Sequence, residues 1–235
     1  MIDEIRISTA CRWTYNFDPP TRRCGSNWLP TKQFYVKNNV PSDYTCLKYL
    51  RSDGNQYIDI NLIPNSNSKT VIDCILPVES SNSYYICGAR ESSYVDNYAL
   101  QTTGGLYYSK HGPQTSEGSL SIPSVDHRMK FIKDGNIFIV DGNIGYCAPA
   151  DFACQRSMYI FACNSAGTVY GATPCTIYRV QVYQDGENLS RDLVPVLRNS
   201  DKKTGLYDLQ NNVFYPNLGS TECAYVIDSP WEKIY

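Results

Sequence analysis

The sequence is short of the residues from which most reactive or charge-driven sites are built. Its 235 residues hold two histidines, His111 and His127, and no Cys-x-x-Cys pair, so no zinc-type ligand set is written in it. Charged residues make up 19% of the chain and leave a net charge of −2, which removes the electrostatic case for nucleic acid or an anionic membrane surface. Apolar runs such as Ile137-Phe138-Ile139-Val140 are too short for a membrane-spanning helix. The opening residues, MIDEIRIST, lack a basic stretch followed by an apolar one, so no signal peptide is expected. No Gly-x-Ser-x-Gly elbow occurs, which leaves a serine-hydrolase site without its usual local support.

What the chain does have is tyrosine, cysteine and short alternating runs. Apolar residues reach 42%, enough for a substantial core, and there are 20 tyrosines. Surfaces rich in Tyr, Asn, Ser and Gly bind through stacking and neutral hydrogen bonds, which suits sugars or protein partners better than phosphates. The ten cysteines include several inside apolar runs, as at Cys74 and Cys163, where Cys acts as a small buried hydrophobe. Mostly free thiols are therefore expected; Cys147 and Cys154, flanking a short loop, are the first pair to test for a bridge.

From Thr45 onward, apolar/polar alternation of period two is broken at intervals by Gly, Asn, Asp or Pro, the pattern of an antiparallel β-sandwich. Gln56–Ile60, Lys69–Leu76, Ser83–Ala89, Asp96–Gln101, Leu106–Ser109, Arg156–Cys163 and Thr176–Tyr183 read as strands, and the stretch from His111 to Gly118 as a loop. Met129–Lys133 and Asn136–Val140 around Asp134-Gly135 form the clearest hairpin, and Asp141-Gly142-Asn143 repeats the turn signal. No convincing amphipathic helix is present. Three parts are expected: an N-terminal strand, aromatic arm and linker over 1–44, a sandwich over 45–225, and a tail over 226–235. In the first, Ile5 and Ile7 alternate with charged residues. Trp13, Tyr15 and Phe17 then fall at alternate positions, which puts three rings on one side of an extended chain, a docking arm for a neighbour.

Two stretches resemble the concanavalin A-like lectin/glucanase superfamily, specifically laminin G-like jelly-roll domains of phage structural proteins and bacterial surface proteins. One is Ile2–Ser8 with Arg12-Trp13-Thr14, Asn16-Phe17 and Pro19-Pro20-Thr21, similar to the closing strand and exit arm of such a domain. The other runs from Leu47 to Ser220: an opening Gln-Tyr-Ile-Asp strand, a Gly88-Ala89-Arg90 turn, Asp-Gly hairpins, and the tail from Arg191-Asp192 to Tyr215. The resemblance implies an all-β, antiparallel jelly-roll β-sandwich with an N-terminal strand and extended arm. A closing strand at the very start leaves three readings open: a fragment of a longer protein, a strand folded onto its own domain's edge, or a strand added to a neighbouring subunit.

The same resemblance shapes the expected function. Glycosidases of this fold carry paired carboxylates in a Glu-x-Asp-x-x-Glu type run, and this chain has none; Asp73 stands alone in its strand, with Glu91 and Glu117 in loops. A non-catalytic structural and recognition module is expected, a phage virion component such as a capsid-decorating or fibre protein, with virion or extracellular-surface location and other subunits as partners through residues 1–28. The alternative is a carbohydrate-binding domain of a bacterial adhesin, with a glycoside hydrolase third. Tyr84, Tyr85, Tyr94, Tyr98, Tyr107 and Tyr108 are the candidate glycan contacts. No catalytic residue and no resident cofactor are expected. Some relatives use calcium, and its candidate oxygens here are Asp134, Asn136, Asp141 and Asn143, all in turns that explain them otherwise. Asp126-His127-Arg128 is expected in a turn role, and Arg191, Asp192, Arg198 and Asp208 in structural ion pairs.

Overall fold

The computed structural model describes residues 40–76, 83–91, 95–113, 116–121, 127–185 and 187–228. Ile5, Ile7, Trp13, Tyr15, Phe17 and Tyr94 lie outside the described residues. The sandwich belongs to the compact unit Val36–Tyr235.

The described residues form strands and no helix. In chain order these are β1 (Tyr44–Arg51), β2 (Ile58–Asp59), β3 (Lys69–Ile75), β4 (Tyr84–Arg90), β5 (Asn97–Thr103), β6 (Leu106–Gly112), β7 (Glu117–Ser121), β8 (Met129–Asp134) and β9 (Ile137–Val140). There follow β10 (Asn143–Tyr146), β11 (Tyr159–Ile160), β12 (Cys163–Ser165), β13 (Thr168–Tyr170), β14 (Thr176–Gln184), β15 (Asn188–Arg198), β16 (Thr204–Asp208), β17 (Val213–Pro216) and β18 (Ala224–Ile227).

They make two sheets. The long sheet runs β10-β9-β8-β3-β14-β1-β15-β16-β17, with β18 on β1. The short sheet runs β13-β12-β4-β5-β6-β7, with β2 and β11 attached through β4. Pairing is antiparallel except between β12 and β4. Alternation explains the packing: in β3 the residues Thr70, Ile72 and Cys74 are buried while their neighbours are half-buried. Leu50, Ile72, Phe131, Phe138, Ile177 and Val180 of the long sheet form one core with Ile86, Tyr98, Leu100 and Ile160 of the short sheet. Each such ring or branched chain, fully enclosed, contributes about 1.5–3 kcal/mol. A satellite cluster covers the outer side of β15 and β16, where Tyr44 lies against Tyr207 and Phe214 at 5.0 and 5.3 Å.

Several local expectations are corrected. Gly88, Ala89 and Arg90 are not a turn; they complete β4, because β5 on one side and β11 and β12 on the other take up their backbone groups. His111 and Gly112 extend β6 and Glu117 opens β7, so the loop between them is shorter than the sequence suggests. Val226 and Ile227 belong to β18, paired with β1, rather than to a tail. The strand expected over Gln56–Ile60 shrinks to Ile58–Asp59 although its burial alternates as expected. Asp141 and Gly142 both have positive φ (47° and 80°) between β9 and β10, as an Asp-Gly primed turn requires. The preceding hairpin is displaced by one residue: Asp134 pairs with Ile137, and Gly135 (φ 55°) and Asn136 are its loop. Cys147 and Cys154 are free thiols, their Sγ atoms 3.3 Å from Ser109 O and 2.9 Å from Asp96 O.

Candidate functional site

The short sheet has two faces, and the alternation of β5 and β6 assigns residues to each. Tyr98, Leu100 and Tyr107 join the main core, whereas Ala99 packs with Tyr85 and Cys163 in a separate cluster. Residues in phase with Ala99 therefore lie on the outer face: Gln101, Tyr108 and Lys110. The register sets two rows across it, Tyr170-Cys163-Gly88-Ala99-Lys110-Glu117 and Tyr85-Gln101-Tyr108-Ser119. Tyr170 and Lys110 stand four strand steps apart, roughly 19 Å at the usual spacing.

Arg90 organises one end of this face. Its guanidinium lies 4.4 Å from the centroid of the Tyr170 ring and 5.5 Å from that of Tyr85. Nε donates to Ser165 Oγ at 2.9 Å and Nη1 to Tyr85 Oη at 3.2 Å. Tyr170 is 48% exposed while Arg90 is 8% exposed, so the cation backs one side of a ring that is open on the other. Gly171 holds the turn beside it: its φ is +60°, and a Cβ there would stand 2.7 Å from Tyr85 Cδ2. Tyr85 is buried beneath this corner, and burial pushes its hydroxyl up to about 12 against the opposing pull of Arg90.

At the other end, Lys110 pairs with Glu117 and lies near the half-buried Tyr108 ring, 5.8 Å from its centroid. Gln101, 7% exposed, donates through Nε2 to Ser83 Oγ and Thr103 Oγ1, and its Oε1 has no partner among the described residues.

The predicted tyrosines divide. Tyr108 is half-buried on the outer face. Tyr84 is half-buried in the row of Thr102 and Tyr107. Tyr85, Tyr98 and Tyr107 are at most 4% exposed and offer no ring to a ligand. Tyr98 is a core residue whose hydroxyl lies 2.9 Å from Thr70 Oγ1 and donates to Ser68 O at 3.2 Å. The exposed ring at this end of the face is instead Tyr170, which the sequence did not single out, with Arg90, expected only as part of a turn, against it.

A second polar constellation lies between the sheets. Lys133 is fully buried; its ammonium donates to Ser109 Oγ (3.1 Å), His111 Nδ1 (3.3 Å) and Gly135 O (3.0 Å) and sits 4.8 Å from the Tyr98 centroid. Burial pushes Lys133 down to about 8, and burial with the Lys133 charge pushes His111 down to about 4. His111 is thus a neutral acceptor for Lys133 at neutral pH, with Phe152 edge-on at 5.0 Å. A hydroxyl beside an amine resembles a catalytic pair, but Ser109 and Lys133 are both sealed from solvent and no substrate reaches them.

The carboxylates are taken up elsewhere. Asp73, alone in its strand by sequence, receives Arg128 through two 2.7 Å bonds. Glu91 holds Arg156, Asp192 holds Arg179 rather than its sequence neighbour Arg191, and Arg191 reaches Asp208 at 3.6 Å. Arg198 holds Asp201. His127 meets Asp141 at 3.1 Å on the surface, a turn contact as expected.

The four candidate calcium oxygens do not converge. Asp134 binds Lys69, Asn136 donates to Cys147 O, Asp141 faces His127 and Asn143 donates to Val140 O, in turns at opposite ends of β9. Among the described residues no three His, Cys, Asp or Glu gather as a metal site. An open depression of about 360 Å³ is lined by Asn65, Ser66, Asn67, Asp151, Phe152 and Ala153. Its neighbour, about 260 Å³, is lined by Asn67, Asp134, Gly135 and Asp185.

No family model and no curated protein matches the chain. Among solved structures, it is similar to a proposed carbohydrate binding protein from Bacteroides ovatus at a TM-score of 0.47 and 13% identity, over 78% of this chain. The match spans 62% of that protein, less than two thirds of its length.

Proposed function

We propose that the protein is a non-catalytic carbohydrate-recognition module that takes its ligand on the outer face of the short sheet, centred on Tyr170. One observation carries this reading: an exposed ring whose hidden side is fixed by a buried guanidinium at 4.4 Å. A pre-set aromatic plane flanked by neutral hydrogen-bonding groups is the arrangement that stacks on the apolar side of a sugar and meets its hydroxyls. The commitment of Asp73, Glu91, Glu117 and Asp192 to arginines and a lysine supports the non-catalytic part. Titration of the intact chain against an oligosaccharide array tests the proposal. Tyr170→Ala is expected to weaken binding about tenfold with an unchanged melting temperature. Binding that ignores this substitution contradicts it.

The setting proposed for this module is an assembly, a virion component or a bacterial surface adhesin, joined through residues 1–28. The aromatic spacing of Trp13, Tyr15 and Phe17 supports it. Sedimentation of the intact chain is expected to show self-association that Trp13→Ala abolishes; a monomer at all concentrations opposes that setting.

A further inference from the structure

Arg90 is out of step with the arginines of the sandwich that make ion pairs. Arg128, Arg156, Arg179, Arg191 and Arg198 each face a carboxylate, at Asp73, Glu91, Asp192, Asp208 and Asp201. Arg90, 8% exposed, has no carboxylate among the described residues. Its sequence neighbour Glu91 is held by both Nε and Nη2 of Arg156, at 3.1 and 3.2 Å. The next three residues, Ser92, Ser93 and Tyr94, carry no acid. Lys110 and Glu117 on the same face neutralise one another.

Burying most of an arginine with no carboxylate among the described residues is costly, and two tyrosine rings with two neutral oxygens offset only part of that cost. Nε and Nη1 are engaged by Ser165 and Tyr85, which fixes the plane of the group. Nη2 makes no hydrogen bond among the described residues. The cation is thus held beside the exposed Tyr170 ring with donor capacity left over among the described residues. An unmatched acceptor lies on the same face: Gln101, nine-tenths buried, has an Oε1 without a donor among the described residues. Leaving such an atom unmatched is unfavourable, and a sugar hydroxyl is the kind of donor it lacks.

We infer that the face is selective for an acidic sugar, a uronate or sialate residue whose carboxylate is received by Arg90 while its ring lies on Tyr170. This rests on the proposed carbohydrate-recognition role and names the ligand class for it. The planar guanidinium and the planar carboxylate match in geometry and charge, which gives a selectivity that a neutral sugar does not share.

The experiment uses the intact chain and matched pairs of oligosaccharides: uronate- and sialate-bearing sugars, each beside its carboxyl-reduced counterpart. The acidic member is expected to bind at least about tenfold more tightly, with affinity falling as salt is raised. Arg90→Gln is expected to abolish the difference between members of a pair, and Arg90→Lys to retain part of it. Ser165→Ala, which frees Nε without touching the charge, serves where Arg90→Gln melts early, and is expected to narrow the difference. Equal binding of acidic and reduced members, or a preference that survives Arg90→Gln, overturns the acidic-sugar assignment and leaves the carbohydrate role standing. Absence of binding to every member overturns both.

Discussion

Lys133 and Arg90 are both buried cations, and the protein treats them differently. Lys133 lies between the sheets, where three donors meet three acceptors and the Tyr98 ring lies alongside. Arg90 lies on the outer face with two of its nitrogens engaged, two rings against it and no counter-charge among the described residues. A cation whose every donor is matched is complete without a ligand and belongs to the architecture. One held in place with capacity left over among the described residues is the one proposed to meet a ligand.

The largest expected effect separates the two on stability. Lys133→Ala leaves Ser109, His111 and Gly135 O without their donor and opens a cavity in the core; about 4 kcal/mol should be lost in urea unfolding. Arg90→Gln should cost under about 2 kcal/mol, since it relieves an uncompensated charge. A reversal of that order breaks the comparison.

Acid sharpens it. His111 in the unfolded chain binds a proton near 6.5, whereas in the folded protein it resists down to about 4. The unfolded state therefore holds more protons in that window, and stability falls as pH drops from 6.5 toward 4, by about 2–3 kcal/mol. Lys133 acts in the same direction at the alkaline end: its folded value of about 8 lies below the ordinary 10.5, so stability rises between those values. Unfolding curves across pH should show both limbs, with the acid limb reduced in His111→Asn.

Smaller effects belong to the outer face. Gly171→Ala forces a β-carbon toward Tyr85 at positive φ and should cost about 1–2 kcal/mol, read as a lower melting temperature. Tyr170→Ala should shift stability by no more than about 0.5 kcal/mol while glycan affinity falls, because the ring is exposed.

The sandwich was legible because burial follows a period of two through β3 and β8, and through β14 beyond the bulge at Ile177/Arg179. Lys133 was legible in principle: it is in phase with the buried Met129 and Phe131, and only its charge argued against the core. The site was harder. Alternation names two faces without saying which one packs, so Tyr98 and Tyr107 passed for surface rings. Arg90 and Tyr85 are five residues apart and should point oppositely, but the register shifts between Tyr85 and Cys87, and the bulge turns both outward. No local signal marks that shift. Tyr170 sits in a three-residue strand next to Gly171, a stretch that reads as a turn.

The most direct test is to map the bound oligosaccharide by NMR, following backbone amides together with arginine Nε–H signals. The account predicts that Arg90 Nε–H and the amides of Ser165, Tyr170 and Gly171 move on titration while those of Ser109, His111 and Lys133 stay still. Shifts confined to Asn65–Asn67 and Asp151–Ala153, with Arg90 unmoved, would contradict it.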